Sequence, residues 1–64
     1  MHIIIDKDGN FFADNVPGQW SPDLEMATNY ESGRDAHLKA LQLDKELPDR
    51  SPILRMLKSA LDSK

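Results

Sequence analysis

Apolar and polar positions follow two rhythms along this chain, one at each end. The amino-terminal stretch holds two apolar runs, His2 to Ile5 and Asn10 to Ala13, separated by Asp6-Lys7-Asp8-Gly9. Apolar run, Asp-Gly, apolar run predicts a β-hairpin, because Gly accepts positive φ and Asp tolerates it. With Asp8 and Gly9 as the two loop residues, Ile5 faces Phe12 and Ile3 shares that side, while Ile4 and Ala13 take the other. A second turn follows at Asn15-Val16-Pro17-Gly18-Gln19, where Pro then Gly suits a type II turn. Ser21-Pro22-Asp23 reads as the start of a short helix over about Pro22 to Ala27, with Ser21 as cap, Pro22 at the first position, and Asp23 and Glu25 at its positive end. Thr28-Asn29-Tyr30 is short, partly β-branched and aromatic, and predicts a third strand.

From Ser32 the rhythm changes to a period of 3.6. Ser32 and Asp35 form a variant capping box, and the helix they open should run to about Glu46. Ala36, Ala40, Leu43 and Leu47 fall on one stripe that faces the sheet. Leu38 and Leu41 point to the other side of that helix and require a cover. Pro48, Asp49 and Arg50 break the chain. Ser51-Pro52 then repeats the cap-plus-proline signal and predicts a last helix over 51–63. Its apolar face is Ile53, Leu54, Leu57, Ala60 and Leu61, with Met56 at the rim. Either this helix folds back over Leu38 and Leu41, or it meets its counterpart in a second molecule. The expected fold is α+β: a three-stranded antiparallel sheet in the order ββαβαα, packed by the long helix and the carboxy-terminal helix. Residues 1–64 are read as one domain, with the hairpin, short helix and third strand in 1–30, the long helix in 31–47 and the last in 51–63.

Composition adds limits to that picture. A chain of 64 residues is near the lower size for unaided folding and buries only about 60 % of the surface its unfolded form exposes. With no cysteine, neither disulfides nor thiolate metal sites can support a small core. Hydrophobic residues at 39 % against 30 % charged residues are an ordinary balance for a folded chain. The opening run is too short for a signal peptide, and no run approaches the roughly 20 apolar residues of a membrane span, so a cytoplasmic protein is expected.

The net charge of -3 is unevenly divided. Residues 1–32 hold Asp6, Asp8, Asp14, Asp23, Glu25 and Glu31 against Lys7 alone, a balance of -5. Residues 33–64 hold seven bases against five acids, +2, and the two halves return the total. An acidic amino-terminal half favours a basic partner and argues against nucleic acid binding there. The basic residues of the other half alternate with acids and carry no aromatic platform.

Little in the chain spells out a reaction. Asp6, Asp8 and Asn10 share the first three ligand spacings of a calcium loop, but Phe11 stands where that loop needs Gly and Pro17 where it needs a bidentate acid. Turn formation accounts for them. His2 and His37 have no helical Asp/Glu/His pairing that would mark zinc. Ser21, Ser32 and Ser51 all stand at helix starts, so capping explains them. No enzyme activity, cofactor or metal is expected.

The hairpin with its Asp-Gly turn, followed by Trp20, Asp23, Leu24, Ala27, Tyr30, Ser32 and Ala36 in the pattern W-x-x-D-L-x-x-A-x-x-Y-x-S-x-x-x-A, resembles a pattern common among small accessory proteins of bacteriophages and prophages. The resemblance covers roughly residues 1–43. It implies a phage-borne product acting in the cytoplasm of a bacterial host, in a group that includes anti-CRISPR and anti-restriction inhibitors. Such proteins occupy a surface of a larger host complex, often with acidic residues set against a nucleic-acid channel. On this reading Asp6, Asp8, Asp14, Asp23, Glu25 and Glu31 make the contact, with Phe11 and Trp20 as anchors, although the place of Trp20 just ahead of the Ser21 cap also suits a staple of the helix entry to the sheet. Two alternatives stand beside it: a homodimeric structural or regulatory subunit joined through Leu38, Leu41, Ile53, Leu54, Leu57 and Leu61, and a small DNA-associated regulatory module using the basic last helix.

Overall fold

The isoleucine run at the start of the chain becomes an inner strand of an antiparallel sheet. A computed structural model describes residues 1–62, with side chains to residue 60. Strands β1 (His2–Ile5), β2 (Phe11–Phe12), β3 (Trp20–Ser21) and β4 (Leu54–Leu57) assemble in the order β3-β2-β1-β4. One main helix, α1 (Gly33–Glu46), packs on the sheet, and a short α2 (Lys58–Asp62) follows β4. The architecture is therefore α+β with four antiparallel strands rather than three.

Both faces of β1 are covered, which is why its side chains read as a continuous apolar run instead of an alternation. Ile4 joins Phe12, Ala40, Leu43 and Ile53 beneath α1, with Trp20, Tyr30 and Leu47 packed around them. Ile3 joins Phe11 and Ala27 on the other face, with Ile5, Leu24 and Met56 at its rim. This partition differs from the expected one by a single register step. Ile5 pairs with Phe11, not Phe12, so Phe12 moves to the side of Ile4. The cause is a longer loop. The Asp6 amide donates to Asn10 O at 2.9 Å, leaving Lys7, Asp8 and Gly9 in the turn with Gly9 at φ +83. Asp6 Oδ1 accepts from the Asp8 and Asn10 amides, both at 2.9 Å, and holds the turn in that form.

Val16 to Gln19 makes the expected reversal, with Gly18 at φ 80, ψ -8 and the Gln19 amide donating to Val16 O at 3.0 Å. The chain returns immediately as β3, pairing Trp20 with Phe12 and Ser21 with Phe11. The third strand is thus Trp20–Ser21 and not Thr28 to Tyr30. Because Ser21 belongs to the ladder and Thr28 donates its amide to Phe12 O at 2.9 Å, too few residues remain between them for an α-helix. They form a single 3-10 turn, Leu24–Met26, capped by Asp23 rather than Ser21, with Asp23 Oδ1 accepting from the Glu25 amide at 3.0 Å. Tyr30 exchanges two 2.8 Å backbone bonds with His2, an isolated bridge in the notch left by the very short β2.

The long helix forms as expected: Ser32 Oγ accepts from the Asp35 amide at 3.3 Å, and Ala36, Ala40 and Leu43 are buried. The expected 51–63 helix does not form as such. Its first half is β4, paired with β1 from His2↔Leu57 to Ile5↔Leu54, and only Lys58–Asp62 is helical. Without β4, the apolar strand β1 would be a bare sheet edge, and backbone pairing there outweighs local helix signals. Asp44 on α1 fixes the connection, with Oδ1 accepting from Ser51 Oγ at 2.6 Å and from the Ile53 amide at 3.1 Å. Ile53 enters the core beside Ile4 and Leu43 from the segment before β4, not from the face of a last helix. Leu38 and Leu41 stay uncovered, each 52 % exposed, because the element expected over them lies in the sheet. Leu61 falls outside the described side chains.

Candidate functional surface

The acidic residues singled out in the sequence do not share one surface. Asp6 is 5 % exposed, and besides the two turn amides its Oδ2 accepts from Arg50 Nη1 at 2.7 Å. Burial alone would push its pKa up, but the amides of Asn10 and Asp8 and the Arg50 guanidinium outweigh that and hold the carboxyl below its ordinary value. Arg50 in turn lies over the Trp20 ring at 4.7 Å from its centroid, and the Lys7 amide donates to Arg50 O at 3.1 Å. Asp6 therefore ties the hairpin turn to the segment after α1, and both its oxygens are occupied within the fold. Arg50 was missed from sequence, since its partner stands 44 positions away and nothing local points to it.

Phe11 is buried on the second face of the sheet, and Trp20 packs edge-on against Phe12 with centroids 5.7 Å apart at 74°. Both are core contacts in this chain rather than protruding anchors. Leu24, Ala27 and Ala36 are likewise packed, Asp23 and Ser32 cap, and Tyr30 bridges to His2. Each position of the Trp20 to Ala36 pattern thus has a folding role.

Four of the six acids remain at the surface away from the hairpin turn: Asp14, Asp23, Glu25 and Glu31. Asp14 and Glu25 line one groove of about 410 Å³ together with Met26, which is 38 % exposed. Asp23 caps the turn that carries Glu25. Asp14 is oriented by Thr28, whose Oγ1 donates to Asp14 Oδ1 at 3.1 Å and accepts from the Asp14 amide at 2.9 Å. Burial, together with the negative charge of Asp14, raises the pKa of Tyr30. From Asp8 to Gly33 the chain contains no Lys or Arg, so this acidic groove has no basic neighbour in sequence. Asp8 stands apart, at the hairpin end, beside Glu46 and Asp49 around a hollow of about 510 Å³.

Among the described residues every buried side-chain nitrogen and oxygen has a hydrogen-bond partner, and no group of three or more His, Asp or Glu side chains is placed to hold a metal ion. No described helix is long and apolar enough to cross a membrane. Arg55 lies in β4, with Nη1 at 3.0 Å from His2 Nδ1, and Lys58 opens α2, so the long basic helix on which the DNA-associated reading relied is absent from the described residues. Comparison of the chain with protein-family models, with curated proteins and with solved structures gave no match.

Proposed function

We propose that this chain is a non-enzymatic binding protein that sets Asp14, Asp23, Glu25 and Glu31 against a basic surface of a host protein or ribonucleoprotein complex and blocks or modulates it. The observation that supports this reading is the groove in which Asp14 and Glu25 flank the exposed Met26, within a stretch that has no base from Asp8 to Gly33. A one-signed, partly apolar patch concentrates field lines and offers a deformable thioether contact to a cationic partner. Inhibition of a bacterial defence complex is the specific form of the proposal, and the phage-like pattern from Trp20 to Ala36 is its support.

Capture from bacterial lysate on the immobilised chain tests the binding claim. A basic partner should be retained at low salt, weaken as salt rises, and be lost from the Glu25→Lys/Glu31→Lys variant, which replaces two exposed side chains. Retention of the same partner by the reversed variant, with unchanged far-UV circular dichroism, would refute it. For the defence claim, expression of the chain in cells with an active CRISPR or restriction system should restore plaque formation by a targeted phage.

A further inference from the structure

β4 is the outermost strand on its side of the sheet, and its inner edge is paired with β1 at every residue. The Lys58 amide donates to Met1 O at 2.8 Å, which sets the phase of the ladder: residues 54, 56 and 58 turn their backbone groups toward β1. Arg55 and Leu57 therefore direct N–H and C=O away from the sheet. Leu54 and Leu57 lie on opposite faces of this strand and are 56 % and 46 % exposed. The strand contains no proline, and its one charge, Arg55, leans back onto His2. An edge of this kind is a template for another strand.

We propose that the occupant is a second copy of this chain, joined antiparallel through β4 about a two-fold axis at Met56, so that two four-stranded sheets become one of eight strands. Self-complementarity of the strand selects this partner. Centring on Met56 places Arg55 opposite Leu57 of the other copy, and each such pair exchanges both of its outward bonds. It also sets Lys58 opposite Leu54, so no two like charges face each other. Centring on Arg55 would oppose two guanidinium groups, and centring on Leu57 would set Leu54 opposite Ala60, two residues deeper into α2 than the Met56 register reaches. Met56 meets its own counterpart in a non-hydrogen-bonded pair, where side chains approach most closely. This inference is independent of the acidic groove.

Sedimentation equilibrium from micromolar to millimolar chain should show a concentration-dependent dimer. A synthetic chain methylated at the Leu57 amide nitrogen loses the outward donor but keeps the leucine side chain and the β1 ladder, and should dimerise at least tenfold more weakly with unchanged circular dichroism. Since the chain has no cysteine, Met56→Cys introduces a single thiol, and oxidised glutathione should link it into a disulfide dimer much faster than Leu38→Cys on the outer face of α1. A native chain that stays monomeric at millimolar concentration, a methylated chain that dimerises equally well, or equal linking rates for the two cysteine variants would each overturn the proposal.

Discussion

Asp6 receives hydrogen bonds from two amides and one guanidinium from inside the fold, so its replacement leaves donors without an acceptor. Asp6→Ala should cost about 2–3 kcal/mol by urea unfolding, toward the lower end of what a broken buried pair costs because Arg50 stays partly wet. The same carboxyl makes stability depend on acid. Its folded pKa is depressed, so its contribution is fully present above the unfolded value of about 3.9 and is lost as pH falls through the lower folded value. Asp44, lowered by Ser51 and the Ile53 amide, acts in the same direction. Acid unfolding followed by the near-ultraviolet signal of Trp20 should therefore be less steep in Asp6→Asn than in the native chain. At Gly9 nothing lies within 4 Å of a would-be Cβ, so Gly9→Ala should lose about 1–2 kcal/mol from its φ of +83 alone, and Gly9→Asn less.

Among the elements, β4 offers the sharpest test because neighbouring residues point their amides in opposite directions. Met56→Pro removes a donor to β1 and should destabilise by about 1–3 kcal/mol in thermal or urea unfolding, whereas Arg55→Pro removes an outward donor and an exposed side-chain contact to His2 and should cost clearly less. β4 was also the element least legible in the sequence. Ser51-Pro52 and the spacing of Ile53, Leu54 and Leu57 are sound local helix signals, but the open edge of β1 that recruits this segment lies some fifty positions upstream. α1 was legible from cap to final turn because Ser32 and the Ala36, Ala40, Leu43 stripe satisfy local and tertiary demands together. The hairpin was legible as a hairpin, but its register was not, since Asp6 used its carboxylate to stabilise a three-residue loop. Charge asymmetry pointed to an acidic half. It gave no means of separating Asp6, which is buried with Arg50, from Asp14 and Glu25, which share a groove.

For the whole molecule, a core divided between two faces of one small sheet leaves little reserve. A chain of this length has a stability of roughly 3–10 kcal/mol, and Leu43→Ala, beneath α1, should remove about 2–4 kcal/mol of it, visible as a large drop in the urea midpoint. Leu38→Gln, on the opposite side of the same helix, should stay within about 0.5 kcal/mol. The pairing of β1 with β4 also has a consequence during synthesis. The isoleucines of β1 cannot be enclosed until β4 has been translated, so a nascent chain released at Arg50 should show no cooperative unfolding and should engage chaperones that bind apolar segments. Enclosure of β1 is then timed by the emergence of β4, some fifty positions later, rather than by the synthesis of β1 itself.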